Sequence, residues 1–246
     1  MKHKIFGFKK DIKINSVVID EAQDFNIFEF YALKEILNTN MFTLLGDLSQ
    51  GIHSYRSIND WNDVIDIFGK NSTSYMTLVQ SYRTTVEIMD FANKVLKKLN
   101  DEKLVYAKPV IRHGEKPEIK EFKDQNKLIK SLEDKISAML NENYKSIAVI
   151  CKTMEECEKL EKFLKKSGKL DVKVIDENEE VFDGKVVLVP SHLAKGLEFD
   201  VIFITNLEED YKNNNIDIKL LYVAMTRAHH RLYVYHTEGK LEILKS

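Results

Sequence analysis

Two adjacent acids, Asp20 and Glu21, follow the apolar run Val17-Val18-Ile19 and lead into Ala22-Gln23-Asp24. An apolar run that short reads as a buried strand, and in open parallel α/β sheets ligands gather beyond the carboxyl ends of strands. A carboxylate there can hold Mg²⁺ through its water shell, and its neighbour can orient or deprotonate an attacking water, the division of labour that nucleotide hydrolysis requires. A second apolar run, Phe42 to Leu45, ends in Gly46-Asp47-Leu48-Ser49-Gln50, where the neutral amide of Gln50 suits a γ-phosphate. Gln80-Ser81-Tyr82-Arg83 then joins an aromatic ring to a guanidinium, a pairing suited to stacking on a base and clamping a phosphate. Each cluster taken singly has a plainer reading: acids that cap a helix, a Gly-Asp turn, a surface Tyr-Arg.

The elements needed to position these groups are legible as an alternation. Short apolar runs (Ser16–Asp20, Phe42–Leu45, Tyr75–Val79) precede helical patterns at Phe25–Leu37, Ile58–Phe68 and Thr84–Leu99. The rhythm lapses from about Asp101 to Lys116, around Pro109 and Gly114, which marks a connection or a domain edge there or shortly before. It then resumes with strands near Ile119, Ser146–Ile150, Val172–Ile175, Val186–Val189, Val201–Thr205 and Arg231–Tyr235, and with helices at Lys127–Leu140, Met154–Lys165 and Leu220–Met225. Asn213-Asn214-Asn215 reads as an exposed turn. The expected fold is α/β, with parallel sheets flanked by helices and two lobes, 1–80 and 81–246.

Composition narrows the field. With 43% hydrophobic and 31% charged residues over 246 positions, the chain has enough apolar material for one large core or two modest ones. It has no apolar stretch of membrane-spanning length and no secretory leader pattern, which gives a cytoplasmic expectation. The two cysteines, Cys151 and Cys157, read as reduced packing residues. A net charge of −2 rules out a uniformly basic surface, so any nucleic-acid contact must be local.

Taken in order, the clusters resemble the motif series of the UvrD/Rep-type superfamily 1 DNA helicases. Val18-Ile-Asp-Glu-Ala-Gln-Asp24 is similar to motif II (Walker B), Leu44-Leu-Gly-Asp-Leu-Ser-Gln50 to motif III and Leu78-Val-Gln-Ser-Tyr-Arg-Thr84 to motif IV. Ser191-His-Leu-Ala-Lys-Gly-Leu-Glu-Phe-Asp200 resembles motif V, and Leu220-Leu-Tyr-Val-Ala-Met-Thr-Arg-Ala228 resembles motif VI. The resemblance implies RecA-like lobes of the P-loop NTPase type, one incomplete and one complete, working with ATP and Mg²⁺ on single-stranded or partly duplex DNA. It implies that Asp20 holds the metal, that Glu21 is the catalytic base, and that Gln23 and Gln50 sense the γ-phosphate and the attacking water. By the same resemblance Tyr82 stacks on the nucleotide base, Arg83 and Arg227 are arginine fingers from the second lobe, and Glu198, beside Gly196, accepts from the ribose. His192 and Lys195 stand where motif V meets the DNA strand. Tyr55 and Arg56 occupy the segment after motif III where relatives stack on single-stranded bases, with Trp61 a weaker candidate.

Two departures qualify the resemblance. No Gly-x-x-x-x-Gly-Lys-Ser/Thr loop occurs in these 246 residues, so the main triphosphate cradle is not supplied by them. The expectation is a C-terminal part that works with an N-terminal helicase segment and is inactive as an ATPase alone. The short interval between motifs IV and V, with the wording of Gly46 to Arg56, also resembles the HelD-type branch, which implies RNA polymerase as a partner. The absent phosphate loop and the lack of net positive charge support a second reading: a non-hydrolytic module docking on RNA polymerase or another protein.

Overall fold

The computed structural model describes residues 14–37, 39–52, 57–176 and 185–244. They fall into two units that divide between Leu78 and Val79.

In unit 1, β1 (Val17–Ile19) precedes α1 (Ile27–Ile36), and β2 (Phe42–Leu44) lies parallel to β1 with Val17 opposite Phe42 and Ile19 opposite Leu44. Helix α1 starts where it does because Asn26 and Glu29 form a reciprocal cap: the Asn26 side chain accepts from Glu29 N at 2.9 Å, and Asn26 N donates to the Glu29 carboxylate at 2.8 Å. Helix α2 (Trp61–Phe68) is capped by Asp60 and ends at Gly69, whose φ of 95° closes the last turn. Phe30, Ile58 and Val64 are buried, and the Phe42 and Phe68 rings meet at 4.8 Å.

Unit 2 opens with β3 (Gln80–Ser81), α3 (Val86–Leu96) and β4 (Lys108–Pro109), which pairs in parallel with β3. Tyr75–Val79, expected as a strand, forms none: a strand needs a partner, and only Gln80 and Ser81 find one in β4. The irregular stretch after Asp101 lies inside unit 2, tied down by that pairing and by Val86 N donating to Arg112 O at 3.0 Å.

The rest of unit 2 runs β5 (Glu118–Phe122), α4 (Gln125–Asn141), β6 (Ile147–Cys151), α5 (Met154–Ser167), β7 (Lys173–Val174), β8 (Val186–Pro190), β9 (Phe199–Asn206), α6 (Asn215–Thr226) and β10 (Ala228–Thr237). These strands form one parallel sheet in the order β5-β10-β9-β6-β8-β7. Every residue of β6 and β8 is buried, as strands covered on both faces must be. On one face Val149, Leu188, Phe203 and Tyr235 pack beneath Leu132 and Ile136 of α4 and Leu160 and Leu164 of α5, each fully buried aliphatic stabilising by about 1.5–3 kcal/mol. The opposite face is covered by α6, and α3 packs on α6. Leu220 to Thr226 are buried all round, which is why the amphipathic signal of α6 is weak in the sequence. The expected turn at Asn213–Asn215 is the start of this helix: the Asn214 side chain caps it by accepting from Asp217 N at 2.9 Å.

Candidate nucleotide-type site residues on two sheet edges

In unit 1 the acids sit where the sequence placed them, past the carboxyl ends of β1 and β2. Parallel pairing continues beyond the strands, with Leu45 N donating to Ile19 O at 2.9 Å and Ala22 N to Leu45 O at 2.8 Å. Glu21 takes a left-handed conformation (φ 50°, ψ 36°) that costs a non-glycine residue about 1–2 kcal/mol and turns the chain sharply at the strand end. Glu21 N donates to Asp20 Oδ1 at 2.8 Å. Gln23, fully buried, donates through Nε2 to Glu21 Oε2 at 2.5 Å and accepts at Oε1 from Asp47 N at 2.9 Å. It thereby ties the two strand ends together and fixes the Glu21 carboxylate. Asp47 caps Ser49 N through one oxygen and accepts from Gln50 Nε2 at 2.8 Å through the other. Asp47 is the member of this cluster that sequence reasoning passed over. Asp20 and Glu21 are exposed. Tyr55 and Arg56 lie outside the described residues.

In unit 2 the expected residues divide between opposite edges of the sheet. Strand β6 pairs with both β8 and β9, setting Cys151 level with Pro190 and Ile147 level with Val201. The segment Ser191–Glu198 therefore runs from the carboxyl edge of the sheet back to its amino edge, putting His192 and Glu198 at opposite ends. Gly196 makes a left-handed turn on the way (φ 83°) with no atom near its missing Cβ, so the requirement there is conformational. Lys195 is half-buried and His192 exposed, within electrostatic reach of Glu155.

The amino edge gathers the charges. Arg83 Nε meets Glu198 Oε1 at 2.6 Å, and His229 Nε2 meets Glu198 Oε2 at 2.8 Å. Arg227, only 2% exposed, closes α6 with its Nε donating to Val223 O at 3.2 Å, at the helix end that favours a cation. Burial pushes the Glu198 carboxyl up, but the His229 hydrogen bond and the charges of Arg83, His229 and Arg227 outweigh it and hold the group below the usual carboxylate range. Tyr82 is 71% exposed, with its hydroxyl 3.4 Å from the Gln80 side chain.

The carboxyl edge is braced by buried polar groups. Ser191 Oγ donates to Lys152 O at 2.8 Å and accepts from Tyr211 OH at 3.1 Å, while Lys152 Nζ reaches Asp217 at 3.0 Å. Glu156, 1% exposed, accepts from Leu207, Glu208 and Glu209 N through a single oxygen and so fixes the loop after β9.

A parallel α/β protein with paired acids at the carboxyl edge of one unit and arginines at the amino edge of the other is the class these observations define. Family models described as the UvrD-like helicase C-terminal domain match residues 76–187 and 185–235. The crystal structure of the C-terminal domain of a possible DNA helicase from Lactobacillus plantarum WCFS1 is 30% identical, with a TM-score of 0.55 over 67% of this chain and 92% of that one. The chain belongs to the UvrD-like helicase C-terminal domain family. Among full-length relatives, the "Probable DNA helicase II homolog" of Mycoplasma capricolum subsp. capricolum is 30% identical over 133 residues, 52% of this chain and 18% of that protein. The ATP-dependent DNA helicase Rep of Buchnera aphidicola subsp. Schizaphis graminum is 30% identical over 169 residues, 65% of this chain and 25% of that protein. The chain thus spans a quarter or less of the length of these two relatives.

Proposed function

We propose that this chain supplies the Walker B acids and the phosphate-directed arginines of an ATP-dependent DNA translocase. The observation that carries the reading is the meeting of Arg83, Glu198 and Arg227, from three separated motifs, at one edge of one sheet. Cations brought onto the transferring group are what a phosphoryl transition state requires, because its stabilisation is mainly electrostatic. In unit 1, Glu21 is held by Gln23 in a fixed orientation suited to a general base.

The donor set fits Mg²⁺. Among the described residues no cluster of three or more metal-ligating side chains exists, whereas Asp20 keeps one oxygen on Glu21 N and is exposed. Mg²⁺ is typically held by one or two carboxylates with waters and substrate phosphates, and Asp20 is the residue that would supply the carboxylate. Bound there with ATP, the ion supplies charge neutralisation on the phosphates. Tyr82 would stack on the base, Gln50 would contact the γ-phosphate, and His192 and Lys195, from the segment leaving the carboxyl edge of the second sheet, would contact a single DNA strand.

The test is DNA-stimulated ATP hydrolysis by this chain joined to the phosphate-binding-loop segment of a UvrD-like relative. Glu21→Gln abolishes turnover while ATP binding persists; turnover retained in that variant sinks the assignment.

A further inference from the structure

We infer that His229 is a positioning residue of the nucleotide site, placed by a bulge in β10 to anchor the carboxylate that meets the nucleotide sugar. The inference rests on the nucleotide reading of the Arg83–Glu198–Arg227 cluster.

The pairing of β10 with β9 sets Ala228 opposite Phe199 and Arg231 opposite Val201, so three steps on β10 match two on β9. The extra residue lies at His229–His230, and a bulge of this kind re-aims side chains that regular alternation would send elsewhere. Its effect is visible in the two rings, which stand at 90° to one another with centroids 6.3 Å apart. His229 reaches Glu198, while His230 lies 3.8 Å from Asp200. The backbone of the bulge is itself held, because Arg112 donates to the His229 carbonyl. His229 is thus fixed at its main chain and directed at a single carboxylate oxygen.

That division of oxygens gives the two partners of Glu198 different roles. Oε1 is on Arg83, the side chain expected to move to a phosphate, and Oε2 is on His229, which the bulge holds in place. When Arg83 turns to a phosphate, Oε1 becomes available to a sugar hydroxyl, and the His229 bond keeps the carboxylate where that hydroxyl arrives. An acceptor without such an anchor would lose orientation and, with it, most of the worth of a charge-assisted hydrogen bond.

The experiment compares Mg·ATP with inorganic tripolyphosphate and Mg²⁺, each titrated by NMR into the ¹³C,¹⁵N-labelled chain joined to the phosphate-binding-loop segment of a UvrD-like relative, in wild type, His229→Ala and His229→Gln. Tripolyphosphate has no sugar, so His229→Ala should weaken ATP roughly three- to tenfold while leaving tripolyphosphate near wild type. His229→Gln, which keeps a side-chain donor, should recover most of the loss. In the same samples the Glu198 carboxyl, followed by its ¹³C shift, should titrate at higher pH in His229→Ala. Equal weakening of both probes, no weakening of either, or an unmoved Glu198 titration overturns the assignment of His229 while leaving the nucleotide reading in place. If wild type takes neither probe, the nucleotide reading itself fails and the inference with it.

Discussion

Gln23 and Gly46 illustrate how much of the site rests on single contacts. A Cβ at residue 46 would lie 2.5 Å from Gln23 Oε1 and 3.0 Å from both Gln23 N and the Trp61 ring, and the backbone nitrogen among these cannot yield. Gly46→Ala therefore has to displace the amide that holds Glu21, at about 1–3 kcal/mol of overpacking. Urea denaturation should show that loss, and a midpoint unchanged from wild type would mean that Gln23 is not wedged as described. At this scale the sequence was informative about residue types and silent about partners. Asp20, Glu21 and Gln50 could be read from their place after apolar runs, but the role of Asp47 depends on two hydrogen bonds that no spacing reveals. His229 was hidden for a sharper reason: it lies between the expected helix Leu220–Met225 and the expected strand Arg231–Tyr235, and the bulge decides which way it faces.

The elements of unit 2 are pinned to one another by carboxylates whose pKa values lie below the ordinary range. Glu87, in the first turn of α3, accepts from His113 and from Gly114 N; the His113 bond is the larger cause holding its carboxyl down to about 2. Glu133 on α4 is raised by burial, yet its bonds from Ser167 and Lys169 at the end of α5 bring it below its usual value. A carboxyl lowered by folding contributes stability that is complete above its unfolded pKa of about 4.3 and is lost as pH falls through the folded value. The share of thermal stability that these two groups supply should therefore hold down to about pH 5 and then fall steadily towards pH 2, with Glu87→Gln and Glu133→Gln each flattening part of the fall. A midpoint that holds constant to pH 2 would remove these contacts from the account. Most of these elements were legible in advance, because runs such as Ile147–Cys151 and Val186–Pro190 are apolar throughout and can only be doubly covered strands. The start of α6 was not, since its buried faces erase periodicity and its cap lies in a run of asparagines that reads equally as a turn.

Across the whole chain, the two units use their sheets differently. Unit 1 offers acids beyond the carboxyl ends of its strands, while the arginines of unit 2 lie at the amino edge and His192 at the carboxyl edge. The ordered motifs carried the family assignment, but the separation of Glu198 from His192 was not legible, because a seven-residue stretch says nothing about crossing a sheet until its strand pairings are known. Once they are, one chain segment connects the sugar-binding and strand-binding roles proposed here. The claim that everything else depends on is that the amino-edge cations act on a phosphoryl group. It is tested most directly by kcat for ATP at saturating single-stranded DNA, in the chain completed with a relative's phosphate-binding-loop segment, comparing wild type with Arg83→Ala and Arg227→Ala. The account predicts a fall of roughly 10³-fold or more in kcat for each variant with KM changed far less, as for lost arginine fingers in other phosphoryl-transfer enzymes. A kcat within tenfold of wild type in both variants would contradict it.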